Sequence, residues 1–341
     1  MKHHINILLI VIFVLFASRF AGGQNELKFA NLGDFRLENG QVIRACRIGY
    51  RTFGRLNQNK SNAILVTTSF TSSTQDIIPQ IGPGKLLDNS KYFVIAVDAL
   101  GNGVSSSPSN SRAQPGRSFP SFSIRDMVNT QHKLLAQELK LNRVHAITGI
   151  SMGGMQTLQW IISYPDFMDK AIPIVGTPRQ TSYDLLLWRT QLQAIEAMRS
   201  CANGESKALQ MMADLNALML WSPSYIVNQT PPEGVQQFMA TREKQLMSYN
   251  VNNYAAQLKA MIDHDIYKSF GGSAERAAAA VRARVLMVVS PQDHIVNPAP
   301  ALEFAKRLKA ETLSLTGDCG HLAFRCEMDK LTAAVSAFLN K

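Results

Sequence analysis

Short apolar runs bounded by turn residues alternate along this chain with stretches whose apolar positions fall at helical spacing. Residues 43–53 read as an early strand, 63–68 (AILVTT) and 92–97 (YFVIAV) as buried strands, and 144–148 as another. Residues 171–175 and 285–289 (VLMVV) follow, with 312–315 a weaker candidate. Several of these runs are apolar almost throughout rather than alternating, as strands covered on both faces of a parallel sheet require. Residues 124–139 and 328–338 carry apolar side chains at helical intervals and are expected to cover that sheet. Strands interleaved with helices predict an α/β architecture, a mainly parallel central sheet flanked by helices. The stretch 177–273 differs: it is rich in Leu, Met, Gln and Ala, lacks strand-like runs, and is punctuated at 222–224 and 231–234. It predicts a helical lid over the carboxyl edge of the sheet, inserted between core segments 24–176 and 274–341. Residues 101–119, dense in Ser, Pro, Gly and Asn, predict a loop.

Composition narrows the class. With 341 residues, 46% hydrophobic and 18% charged, the chain is neither disordered, collagenous nor a disulfide-stapled miniprotein. Its length suits one large domain with an insertion, or two domains. At the amino end Lys2 precedes an apolar run over 5–17, broken only by Asn6, and Ala21, Gly22 and Gly23 follow before Gln24 and Asn25. That layout predicts a secretory signal peptide over 1–23. The run falls short of the roughly 20 residues a bilayer span needs, which favours cleavage over a permanent anchor. The expected protein is secreted or periplasmic, with no stable membrane insertion once the leader is removed.

Lys plus Arg outnumber Asp plus Glu by 35 to 25, and removing Lys2 and Arg19 with the leader leaves 33 against 25. The excess is scattered, with no basic run and no aromatic-interleaved stripe, so it reads as solvated surface and not as a nucleic-acid face. An oxidising compartment changes the meaning of the 4 cysteines. Cys319 and Cys326 flank His321; a disulfide there and two buried thiols are both open readings, as are pairing or freedom for Cys46 and Cys201. No CxxC and no HExxH occurs, so no zinc site is expected.

Gly149-Ile150-Ser151-Met152-Gly153 follows directly on the 144–148 strand and leads into a helical stretch at 155–164. This is the context of a nucleophile elbow, a turn so tight that side chains two residues either side of the serine would strike backbone. By composition alone such a motif arises in roughly one unrelated chain in ten, so the weight falls on its company. A serine needs a base, the base needs an orienting acid, and on a strand–turn–helix elbow they come in the order Ser, Asp, His. Asp293 lies just past the 285–289 strand and His321 past the 312–315 candidate, in that order. Asp98 and Asp318 are weaker alternatives for the acid. His294 is the rival base, but as the direct neighbour of Asp293 it should point away from the same pocket. An oxyanion hole would take one donor from the Met152 backbone N–H and a second from the loop after 63–68, with Phe70 first and Thr71 a near alternative.

With these residues in place, the chain resembles the homoserine O-acetyltransferase family of α/β-hydrolase-fold proteins, from about residue 43 to its end. The resemblance is carried by Ser151-Met152-Gly153-Gly154-Met155-Gln156, Ile81-Gly82-Pro83-Gly84-Lys85, Arg125-Asp126-Met127-Val128 and Gly320-His321-Leu322-Ala323-Phe324. It implies Ser151 as nucleophile, Asp293 as acid and His321 as base, and it implies dimers packed through the lid. Two departures bear on substrate. The family carries a lid Arg in a Gln-Arg-x-Ala-Ile context that would hold the homoserine carboxylate; the matching stretch here is Gln191-Leu192-Gln193-Ala194-Ile195. Where the family has Asp after the catalytic His, this chain has Leu322. Arg189, three residues before Leu192, would restore one charged handle under a shifted alignment. An apolar site rejects a zwitterion through its desolvation cost.

Acetyl-CoA is a cytoplasmic donor, whereas water is available everywhere. The expected activity is therefore hydrolysis of a small-molecule carboxylic ester through an acyl-Ser151 intermediate, with no metal or bound cofactor. Transfer to an alcohol acceptor is the alternative, and a non-catalytic binding protein on the same fold is a third reading.

Overall fold

The computed structural model describes residues 25–341; the expected signal peptide lies outside the described residues. Eight strands form one sheet in the order β1-β2-β4-β3-β5-β6-β7-β8. They are β1 (Lys28–Arg36), β2 (Val42–Phe53), β3 (Ala63–Thr67), β4 (Phe93–Val97), β5 (Val144–Ile150), β6 (Met168–Ile174), β7 (Arg284–Val289) and β8 (Glu311–Ser314). The β1/β2 and β2/β4 pairs are antiparallel, and every pair from β4 through β8 is parallel. β1 was not expected. It is an edge strand with register shifts around Gly33, and its sequence KFANLGDFR lacks an apolar run because only one side of it meets the core.

Alternation along the central strands splits the core in two. Leu65, Ile95, Ile147 and Met287 face one cluster, while Ile64, Val94, Ala146 and Leu286 face the other. The first is covered by helices α1 (Ile124–Lys133) and α2 (Met152–Ser163), the second by the carboxyl-terminal helix described below. The helix expected over 124–139 is α-helical only to Lys133 and continues as a π-type turn over Leu134–Glu138.

Between β6 and β7 run α3 (Ser182–Met198), α4 (Gly204–Leu220), α5 (Pro223–Gln229), α6 (Val235–Leu246), α7 (Val251–Ile262) and α8 (Ala274–Ala280). α9 (Ala299–Leu308), α10 (Ala323–Cys326) and α11 (Met328–Asn340) complete the chain, and α11 buries Leu331, Val335 and Phe338 against the second cluster. The chain steps from β3 to β4 on one side and then crosses to β5 on the other, so the strand order reverses at β3. In open α/β sheets the crevice outside the carboxyl ends of the strands at such a point is where ligands bind.

Candidate active site

Ser151 stands at the end of β5 with φ 59° and ψ −118°, a backbone conformation an L side chain rarely adopts. The turn exists because its flanking residues are glycines. A Cβ on Gly149 would sit 2.5 Å from the Gly153 carbonyl, and one on Gly153 would sit 2.6 Å from the Thr67 carbonyl oxygen. Thr67 clamps the same turn from β3, its hydroxyl donating to the Gly153 carbonyl at 3.0 Å. The Ser151 N–H donates to the Ile174 carbonyl of β6 at 2.8 Å. The serine is thus held from both neighbouring strands while its side chain rises into the crevice.

The three residues read from sequence order meet there. His321 Nε2 lies 2.9 Å from Ser151 Oγ, and His321 Nδ1 lies 2.6 Å from Asp293 Oδ2. The other carboxylate oxygen, Oδ1, accepts the N–H groups of Ile295 and Val296, each at 2.8 Å. With one oxygen committed to backbone and the other to imidazole, Asp293 fixes the tautomer in which Nδ1 carries the proton and Nε2 accepts. All three residues are buried. His321 is carried on a short turn between Cys319 and Cys326, which are joined in a disulfide, while Cys46 and Cys201 are free. Gly320, at φ +62°, has its Cα against Trp221 and Ser222, where a Cβ would fall 2.7 Å from the Ser222 nitrogen.

Neither alternative acid is placed for this role. Asp98 accepts the Thr74 N–H, the Thr74 hydroxyl and the Asn102 amide, each at 2.8 Å, and burial pushes its carboxyl above the ordinary range. Asp318 contributes its backbone carbonyl to the Ser222 hydroxyl. His294 does not line the cavity over Ser151.

Met152 opens α2, where the first N–H groups of a helix lack intrahelical acceptors. On the opposite loop the Thr71 N–H is taken by Gln257 Oε1 at 2.9 Å, whereas the Phe70 N–H makes no protein hydrogen bond among the described residues. That separates the two positions in favour of Phe70. Gln257, buried on α7, also donates to the Leu100 carbonyl at 2.9 Å, and Phe70 rests edge-on against Tyr254 with ring centroids 4.6 Å apart. From below, Gln156 donates to the Thr68 carbonyl at 2.9 Å and accepts from Gln131, which in turn accepts from Trp160 Nε1. The loop is gripped from both sides by buried amides, of which only Gln156 belongs to a motif quoted above, and there without a role.

A cavity of about 290 Å³ lies over Ser151 and His321. Trp188, Gln191, Asn216, Trp221 and Met261 of the helical insertion contribute to its walls, and Asp and Glu are absent from its lining. Gln191, Asn216 and Tyr254 close a ring of three hydrogen bonds at 3.1–3.2 Å that ties α3, α4 and α7 together. Leu322 lines the cavity as expected, but Leu192 and Arg189 do not. On α3 the buried residues Asp184, Trp188, Gln191 and Ile195 form one stripe, and a further 100° of helix turns Leu192 and Arg189 away from it. Leu192 instead borders a surface groove with Phe119 and Arg199, and Arg189 is exposed. Asp184 caps α3 and accepts the Asn297 N–H at 2.9 Å, linking the insertion to the loop that carries Asp293.

The sequence model of the alpha/beta hydrolase fold family matches residues 78–325. The chain belongs to this family. A probable esterase of Corynebacterium glutamicum is 38% identical over 56% of this chain and 56% of its own length. An ethyl acetate hydrolase of Pseudomonas veronii is 31% identical over 86% of this chain and 88% of its own. A homoserine O-acetyltransferase of Methanohalophilus mahii is 40% identical, but the match spans 48% of this chain and 38% of that protein. Among solved structures the acetyl esterase MekB superposes with a TM-score of 0.88 at 28% identity, covering 93% of this chain and 98% of that one. Esterases and homoserine O-acetyltransferases thus stand side by side among its relatives, and the chain is an enzyme of the serine hydrolase or acyltransferase kind.

Proposed function

We propose that this protein is an exported serine esterase that hydrolyses small carboxylic esters through an acyl-Ser151 intermediate. One observation carries the reading: the Ser151–His321–Asp293 relay opens into a small cavity whose lining holds no carboxylate. An amino acid acceptor would bring an ammonium group into that space with nothing to pair it, a cost of several kcal/mol. An uncharged ester carries no such burden. A cavity of about 290 Å³ also suits a short acyl chain, and ethyl acetate hydrolase and acetyl esterase are the names of two of its relatives.

In the reaction, Ser151 Oγ attacks the ester carbonyl as its proton passes to His321 Nε2. The oxyanion is met by the Met152 and Phe70 N–H groups. Collapse breaks the bond to the alcohol, which leaves with the proton from His321. Water then gives a proton to the same nitrogen, attacks the acyl carbon and releases the acid, and the proton returns to Ser151. Asp293 holds the imidazole in place and stabilises its charged form. Export is supported by the amino-terminal apolar pattern and by the Cys319–Cys326 disulfide, a bond rare in reducing compartments.

The test is product analysis with 4-nitrophenyl acetate, with and without excess homoserine, using Ser151→Ala as control. Free acetate as the sole product, lost in the variant, is expected. Acetyl transfer to homoserine would overturn the hydrolase reading in favour of an acyltransferase.

A further inference from the structure

Building on that hydrolase reading, we propose that the preferred esters are monoanions, carrying a carboxylate remote from the scissile bond that is held by Arg242 and Arg325. These two residues come from different elements, α6 and α10, 83 positions apart in sequence, and both line the cavity over Ser151. The lining therefore holds two guanidinium groups and no carboxylate. Among the described residues neither arginine forms an ion pair, although ten pairs of Lys or Arg with a carboxylate occur elsewhere.

Arg242 is held in place by contacts that do not neutralise it. Its guanidinium lies 4.5 Å from the Trp221 ring and 5.3 Å from that of Phe238, and Nη1 donates to Gln245 Oε1 at 3.1 Å. Trp221 and Gln245 also line the cavity. Its Nε is buried with no acceptor among the described residues, a donor left to be satisfied. Arg325 sits four residues after His321, with its guanidinium 5.7 Å from the Phe324 ring. The two cations lie near enough that burial first, and then the Arg325 charge, lower the Arg242 pKa. Like charges converging on a partly buried space are unfavourable until an anion joins them, and a planar carboxylate matches the guanidinium fork. The acids of the adjoining helices, Asp214 on α4 and Glu243 on α6, pair with neither arginine.

Two pairs of esters read this out. Mono(4-nitrophenyl) glutarate against 4-nitrophenyl pentanoate places the carboxylate on the acyl side, and 3-carboxyphenyl acetate against phenyl acetate places it on the alcohol side. The expected result is that kcat/KM favours the charged member of at least one pair by about tenfold, the scale of a charge-assisted hydrogen bond. That ratio should fall to near one in Arg242→Gln/Arg325→Gln, survive in part in Arg242→Lys, and shrink as KCl is raised. Because each ratio is taken within one protein preparation, loss of folded enzyme cancels from it. No preference in either pair, or a preference unchanged in the double variant, would overturn the inference while leaving the esterase intact. An enzyme that turns over none of the four esters would overturn the hydrolase reading itself.

Discussion

Asp293→Asn disables the base, His321, without disturbing the fold, and the hydrogen bonds around the carboxylate show why. Oδ1 accepts two backbone N–H groups at 2.8 Å and Oδ2 faces His321 Nδ1 at 2.6 Å. An asparagine of the same shape cannot turn its amide nitrogen toward two donors, so its oxygen must take the backbone side and its NH2 must face the imidazole. Nδ1 then has to accept, which moves the ring proton to Nε2. The atom 2.9 Å from Ser151 Oγ is converted from acceptor to donor, and the charge that stabilises the imidazolium disappears with it. Where this substitution is made in a Ser-His-Asp relay, kcat falls about 10⁴-fold, or about 5.4 kcal/mol of barrier at 1.36 kcal/mol per factor of ten. The assay is the rate on 4-nitrophenyl acetate at neutral pH beside a thermal melt. Expected are a loss of that order and a Tm within a few degrees of the parent, since both backbone donors stay satisfied. A fall of less than tenfold would refute the assignment of Asp293 as the orienting acid.

Three further outcomes are expected. Gln257→Leu leaves the Thr71 N–H and the Leu100 carbonyl without their partner, each worth about 1–3 kcal/mol when buried; Tm should fall and kcat drop at least tenfold, and an unchanged kcat would show that the oxyanion loop holds itself. Cys319→Ala/Cys326→Ala should cost about 2–3 kcal/mol in the chain-entropy picture for so short a loop, read from the urea midpoint, with kcat reduced more than KM changes because His321 lies inside that loop. His264 is buried with Nε2 3.1 Å from the Thr177 carbonyl, and burial pushes its pKa down to about 3 from an ordinary 6.5. Between those values the unfolded chain binds a proton that the folded chain does not, so stability is full above pH 6.5 and is lost as pH falls through the window. From pH 7 to pH 5 the loss from this one group is about 2 kcal/mol, and His264→Asn should flatten the pH dependence of the urea midpoint by that amount.

The strands and the elbow were legible because they rest on local patterns, and Asp293 and His321 because each follows a strand in the order Ser, Asp, His. Short apolar runs bounded by turn residues, such as 63–68 and 285–289, read as strands covered on both sides, and a serine between glycines at a strand end reads as an elbow. β1 escaped because an edge strand needs only every second or third side chain in the core, and Asn31, Gly33 and Asp34 interrupt even that alternation. Leu192 was misplaced because a motif match fixes a position along α3 but not its angle around the axis; Trp188 and Gln191 hold the inner face. Gln257 and Gln131 could not be read at all, and Gln156 stood in a quoted motif without a role. A buried amide is identified by the groups it satisfies, and these lie far off in sequence: Gln257 bonds Thr71 across 186 positions.

The link between Asp184 and Asn297 makes one end of the helical insertion a support of the relay. α3 is capped against the loop that orients the acid and laced to α4 and α7 through Gln191, Asn216 and Tyr254. Swinging it outward would break those bonds and drag Asp293 with it. At the other end Ser222, the N-cap of α5, donates to the Asp318 carbonyl, and α6 packs on α4 with Arg242, Gln245 and Leu246 lining the cavity. Moving either end would disturb a loop that carries a relay residue, Asp293 through Asn297 and His321 through Asp318. The insertion thus braces the acid and the base from its two ends.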